Sequence, residues 1–220
     1  MTDKQVQVVF LGAPGSGKGT QADILAEKLD IPHVDTGSML RAAVSEGTEY
    51  GKIASGYMEQ GQLVPPEIVI GIIKERLLKP DTENGFILDG FPRNTVQAEG
   101  LDSILEEINK ELSCVLNIEV DESILTDRLV YRRTCAQCGA KYNLKFAPPA
   151  NEKACDKCGG ELTQRSDDNL ENTKRRFKTY KDETEPLIEY YIRKSLLQNI
   201  NGNKSVEEIF EEVLKAVNDN

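Results

Sequence analysis

Residues Gly12-Ala13-Pro14-Gly15-Ser16-Gly17-Lys18-Gly19-Thr20 follow directly on the apolar run Val8-Val9-Phe10-Leu11. Glycines at this density let backbone N–H groups turn toward an anion, and a helix opening at the end of the loop presents its positive terminus to the same anion. The helix is legible, because Ala22, Leu25, Ala26 and Leu29 recur at i, i+3, i+4 and i+7 as a core-facing stripe. A buried strand, a glycine loop and an amphipathic helix in that order make a phosphate cradle, to which Lys18 adds a movable full charge. A flexible surface turn would not require that context. The hydroxyl falls at Thr20, one place later than in the general pattern G-x-x-x-x-G-K-S/T, because Gly19 follows the lysine. A nucleotide-using enzyme is the reading these residues favour.

Outward from the loop, strands are expected at 6–11, 31–34, 86–88, 114–118 and 196–200, with helical stretches between them. Strands alternating with helices predict an α/β fold, a doubly wound parallel sheet of five strands. Two stretches interrupt the alternation, 36–65 and about 132–166, leaving a core of 1–35, 66–131 and 167–220. Pro65 and Pro66 should reset the chain before a helix holding Ile68, Val69, Ile72, Ile73 and Leu77. A long helix is expected to begin near Asp167-Asp168, and Ser205-x-x-Glu208 is a capping-box signal for the last one.

With 220 residues, one domain carrying insertions is favoured over two independent domains. A formal charge of -10 and a pI near 4.8 argue against nucleic acid as a partner, since phosphate backbones are bound by net positive surfaces. No apolar run reaches the roughly 18 residues of a membrane span, and Met1 to Gln5 lacks the apolar region of a secretion signal, so a cytoplasmic protein is expected.

Four of the five cysteines form the pairs Cys135-x2-Cys138 and Cys155-x2-Cys158, a spacing that fits tetrahedral zinc and not a disulfide framework. Residues 134–166 carry five cations against three anions, which four thiolates and one Zn2+ would neutralise, so the metal reads as a structural staple and not a nucleic-acid contact. Cys114 lies in an apolar stretch and reads as a buried, inert thiol. Phe86-Ile87-Leu88-Asp89 is an apolar strand ending in a carboxylate, where P-loop proteins hold magnesium or its water shell. Arg41, Arg93, Arg128, Arg132, Arg165 and Arg176 flank the expected loops and suit a polyphosphate as a set. Arg128 and Arg132, at i and i+4, would share one helix face. His33 is the only histidine and reads as a polar residue at a strand edge. A phosphate acceptor needs no general base, so the scarcity of histidine fits phosphoryl transfer.

Taken together with Asp35-Thr36-Gly37-Ser38-Met39-Leu40-Arg41, Leu88-Asp89-Gly90-Phe91-Pro92-Arg93, Arg128-Leu129-Val130-Tyr131-Arg132-Arg133 and Gln164-Arg165-Ser166-Asp167-Asp168, these motifs resemble the adenylate kinase family across nearly the whole chain, in its long form with a zinc-bearing lid. The resemblance implies reversible transfer between ATP and AMP to give ADP, with Mg2+ accompanying ATP and a structural Zn2+ in the lid, in a monomer. It implies that 36–65 binds AMP and 132–166 is the lid. ATP would be held by Gly15, Ser16, Gly17, Lys18, Gly19, Thr20, Arg128 and Arg132. AMP would be held by Thr36, Arg41, Val64, Gly90, Arg93, Gln97, Arg165 and Arg176. The catalytic set would be Lys18, Arg93, Arg132, Arg165 and Arg176, with Asp89 acting on magnesium through water and Cys135, Cys138, Cys155 and Cys158 on zinc. Two positions depart from the family pattern: Ser38, where an aspartate is common, and Tyr131, where a small residue is. Kinases of other nucleoside monophosphates, such as UMP or CMP, usually have a short lid without cysteines; a zinc-stabilised binding module would bind nucleotide without transferring phosphate.

Overall fold

A computed structural model describes residues 5–219. Five parallel strands, β1 (Val6–Leu11), β2 (His33–Asp35), β3 (Gly85–Asp89), β4 (Cys114–Glu119) and the later Leu197–Asn201, form one sheet in which β1 lies centrally between β3 and β4, with β2 at one edge and Leu197–Asn201 at the other. The pleat sends alternate residues of each strand to opposite faces. Val8 and Phe10 pack with Ile87, Cys114 and Leu116 against α1 (Lys18–Leu29), whereas Val9 and Leu11 pack with Leu88 and Val115 on the other face. Both faces are buried, so the strands read as continuous apolar runs.

The first insertion holds α2 (Thr36–Glu46) and α3 (Glu49–Glu59). α4 (Pro66–Leu77) starts at the proline pair and buries Val69, Ile73 and Leu77 at i, i+4 and i+8. α5 (Thr95–Glu107) and α6 (Glu122–Val130) follow β3 and β4. The second insertion is an antiparallel sheet in which β5 (Arg132–Cys135) lies between β6 (Lys141–Asn143) and β7 (Leu162–Thr163). α7 (Leu170–Thr179), a wide π-type turn at Tyr180–Thr184, α8 (Pro186–Arg193), β8 (Leu197–Asn201) and α9 (Val206–Asn218) complete the described chain. α9 carries the expected capping box between Ser205 and Glu208.

The structure corrects the expected elements at several points. The edge strand begins at His33 and not at Ile31, because the Ile31 N–H is still bonded to the Ala26 carbonyl at 3.2 Å, closing α1. α7 begins at Leu170, capped by the Asn169 side chain; Asp168 cannot cap it, since its carboxylate is taken by arginines. Nor is the helix continuous, as it opens at Tyr180–Thr184 before α8. Arg128 lies on α6, but Arg132 opens β5, so the pair does not share a helix face. The chain leaves the helix at Tyr131, whose carbonyl accepts from the Leu144 N–H at 3.0 Å and so belongs to the small sheet.

Candidate active site

The carboxyl ends of β1, β2 and β3 open into a cavity of about 370 Å³. Its floor is the loop from Gly12 to Thr20. Gly15 has φ +86°, and a Cβ there would stand 2.9 Å from the Leu125 carbonyl oxygen, so the tight wrap of the loop excludes a side chain. Lys18 curls back over the loop, donating to the Gly12 and Ala13 carbonyls at 2.6 and 2.9 Å, with Ser16 Oγ at 3.4 Å. Burial brings its pKa down to about 8; Asp89 opposes the fall, and Arg93, Arg176 and Arg132 add to it.

Asp89 ends β3 in register with Asp35 of β2. Its Oδ2 lies against the loop, since a Cβ on Gly19 would be 3.0 Å from it. An oxygen ligand beside a phosphate loop suits Mg2+, a hard cation that keeps much of its water. His33, on the edge strand as expected, stands between two carboxylates, with Nδ1 2.7 Å from Asp23 and Nε2 3.6 Å from Asp89. Burial works against its charge, but the two carboxylates prevail and raise its pKa to about 9.

Arginines line the opposite walls. Arg93, at the end of the loop after β3, donates from Nε to the Gly90 carbonyl at 2.7 Å, and its backbone N–H donates to Gln97 Oε1, also at 2.7 Å. Gly90 has φ +77°, and a Cβ there would lie 3.0 Å from the Arg93 guanidinium. Arg132 grips Asp168 with two hydrogen bonds, of 2.7 and 2.5 Å, and Arg176 reaches the same carboxylate at 3.2 Å and Asp167 at 3.1 Å. Burial lowers Arg165 to about 10, and the positive neighbours Arg132 and Arg41 deepen the fall. Arg128 lies beside the loop, 3.4 Å from the Ser16 carbonyl. A second cavity of about 70 Å³ adjoins, walled by Val64, Gly90, Gln97, Arg41, Arg93 and Arg176. Thr36 stands behind these walls, buried, its hydroxyl donating to the Asp89 carbonyl at 2.8 Å.

Several cavity residues gave no signal in the sequence. Lys141 of β6 crosses to the loop, donating to the Gly19 carbonyl at 3.0 Å and to Asp23 at 2.6 Å. Thr179, the last residue of α7, donates to the Gly61 carbonyl at 3.0 Å, and Thr184, the last of the π-type turn, to the Arg93 carbonyl at 2.7 Å, so both ends of the turn are tied to residues that line both cavities. Wide turns of this kind recur at functional sites, yet no residue type announces them.

In the small sheet the four cysteine sulfurs lie within 4.8 Å of one another, with Cys135–Cys158 at 3.5 Å and Cys138–Cys155 at 3.6 Å. A Zn–S bond of about 2.3 Å in a tetrahedron spaces the sulfurs by about 3.8 Å, so the cluster fits zinc. Tyr142 Oη sits 3.4 Å from Cys155 Sγ and orients it. The insertion has a small buried core of Cys135, Cys155 and Leu162, with Ala140 and Tyr142 packed against them. Cys114 is buried in β4.

A parallel sheet with a glycine loop after its central strand, a lysine in that loop and arginines facing it defines a P-loop phosphate-binding protein of the α/β class. A family model described as adenylate kinase matches residues 10–196. Similar proteins include the adenylate kinase of Archaeoglobus fulgidus, 53% identical over 94% of this chain and 96% of its own length. That of Thermoanaerobacter sp. (strain X514) is 51% identical over 97% and 99%. The chain belongs to the adenylate kinase family. Among the described residues no helix is long and apolar enough to cross a membrane.

Proposed function

We propose that this chain catalyses reversible, magnesium-dependent phosphoryl transfer from ATP to AMP, giving two ADP and balancing the adenine nucleotides. The observation that carries the reading is a cavity with a P-loop lysine on one side, guanidinium groups on the other, and a smaller adjoining pocket beside Val64 and Gln97. The loop would thus take the phosphates of a nucleoside triphosphate, and the adjoining pocket a monophosphate.

In this reading Gly15 to Thr20 and Arg128 hold the ATP phosphates and nucleoside. Thr36, Arg41, Val64, Gly90 and Gln97 position AMP, and Lys18, Arg93, Arg132, Arg165 and Arg176 surround the phosphoryl group in flight. An AMP phosphate oxygen, already anionic, forms the new bond to the γ-phosphorus as the bond to the β-phosphate oxygen breaks. No proton has to be removed, so positioning and charge neutralisation carry the catalysis. Mg2+ bound with ATP would supply further neutralising charge, with Asp89 holding it through water. Residues 36–65 then act as the AMP-binding segment and 132–166 as a zinc-stapled lid. Lys141 anchors that lid to the loop, a closure that keeps water from taking the phosphoryl group. We read the enzyme as a cytoplasmic monomer, following its resemblance to the adenylate kinase family.

A coupled assay of ADP formation with ATP against AMP, GMP, UMP and CMP tests the assignment. AMP should be turned over best; equal or better turnover of UMP or CMP would point to another nucleoside monophosphate kinase, and ATP binding without transfer to a binding module.

A further inference from the structure

We propose that Asp35 and Ser38 form a polar relay that positions the Arg41 guanidinium, and with it the phosphate of the monophosphate substrate; the inference rests on reading the adjoining pocket as the AMP site. Arg41 lines both cavities, so its placement sets where an anion between them is gripped.

The relay lies across the first turn of α2. Asp35 ends β2, and its Oδ1 accepts from the Ser38 N–H at 3.2 Å while its Oδ2 accepts from the Ser38 hydroxyl at 2.5 Å. Arg41, one turn further on, folds back toward the helix start and donates from Nη2 to Ser38 Oγ at 2.9 Å. Its distance to Asp35 Oδ2 is 3.7 Å, too long for a direct hydrogen bond. A carboxylate can only accept and a guanidinium can only donate, so the proton of the intervening hydroxyl must point to Asp35 and its lone pair to Arg41. Burial would raise the Asp35 pKa, but the Ser38 bonds and the Arg41 charge hold it at about 2, so the carboxylate is ionised at neutral pH.

Two further observations show that the fold is arranged around this contact. Gly37 leaves the space for it, since a Cβ there would stand 3.1 Å from Arg41 Nη1 and 3.2 Å from Asp35 Oδ1. The tether also has something to resist: Arg93 and Arg132 bear on Arg41 with like charge, and Asp35 is the strongest of the groups favouring its charged form. Ser38, a departure from the aspartate common in the family, therefore fits a compensated arrangement. The carboxylate sits at the strand end, and a hydroxyl carries its influence to the arginine.

Asp35 also caps α2, so a purely structural role must be separated from positioning. Asp35→Asn keeps a cap acceptor at Oδ1 but replaces the charged acceptor at Oδ2 by a neutral donor, so the Ser38 hydroxyl no longer carries a carboxylate's charge to Arg41. Ser38→Ala removes the hydroxyl, and Ser38→Thr keeps it. The measurements are KM for AMP, KM for ATP, kcat and the unfolding temperature of each variant. For Ser38→Ala and Asp35→Asn the expected result is an AMP KM raised about tenfold, as for a lost hydrogen bond to a charged group, with kcat and the ATP KM within about twofold. Ser38→Thr should return the AMP KM to within about twofold of the parent and unfold within about 2 °C of it, whereas Asp35→Asn, which loses a carboxylate whose pKa is held at about 2, should unfold roughly 5 °C lower while its ATP KM stays unchanged. An unchanged AMP KM in Ser38→Ala overturns the relay. So does a parallel rise in both KM values with a lowered unfolding temperature, which a cap alone would give, and so does a threonine variant as impaired as the alanine one. If the parent itself forms no ADP from ATP and AMP, the functional reading fails instead.

Discussion

Replacing Lys18 by methionine should make this protein more stable and nearly inactive at once. Its amine is held among the Gly12 and Ala13 carbonyls with three arginines bearing on it, and burial takes its pKa from 10.5 to about 8. At about 1.4 kcal/mol for each tenfold change in proton affinity, keeping the charge in the folded state costs about 3 kcal/mol. The side chain keeps some contact with solvent, and methionine leaves two carbonyls without their donor, so a net gain of about 1–2 kcal/mol is expected at neutral pH. For a chain of this size that is a rise in unfolding temperature of roughly 2–8 °C. The folded pKa lies below the unfolded one, so the cost is fully present below about pH 8 and disappears as the pH rises toward 10.5. The advantage of the variant should therefore shrink over that interval in urea titrations at a series of pH values. Turnover should fall on the order of 10^3-fold, because the charge that meets the transferring phosphoryl group is gone. A variant less stable than the parent at neutral pH, or a stability difference that ignores pH, would refute the burial argument. Turnover within tenfold of the parent would refute the role.

Metal analysis of protein purified without chelator should give one zinc per chain. Chelation or Cys138→Ser should loosen residues 132–166 in hydrogen exchange while the main sheet keeps its protection, since the metal supplies most of what that small segment lacks in core; a zinc-free preparation would sink this. Asp168→Asn should lower stability by about 2–3 kcal/mol, read by urea denaturation, because a fully buried carboxylate between Arg132 and Arg176 loses its charge. A loss below about 0.5 kcal/mol would show that the two arginines find other partners.

The loop from Gly12 to Thr20 is legible in the amino-acid sequence because every part of its context is local: an apolar run, glycines and a helical stripe within about twenty-five residues. The same holds for Phe86 to Asp89 and for the cysteine pairs, whose chemistry is set by residue type and short spacing. Arg41, Arg93, Arg132, Arg165 and Arg176 stand out as a set, but their convergence on one cavity depends on strands far apart in sequence lying side by side.

What sequence alone determined was therefore the alternation of strand and helix, the phosphate loop and the paired cysteines, all of which follow from periodicity and side-chain chemistry over one or two turns. Tertiary structure decided which charges compensate one another. Asp168 has the residue type and position of a helix cap and is instead the buried partner of Arg132 and Arg176. Lys141 and Asp23, 118 positions apart, meet only because the small sheet folds over α1. His33, by its sequence context a polar residue at a strand edge, lies between Asp23 and Asp89. Electrostatic pairing depends on distance through space and on burial, and the order of residues along the chain specifies neither.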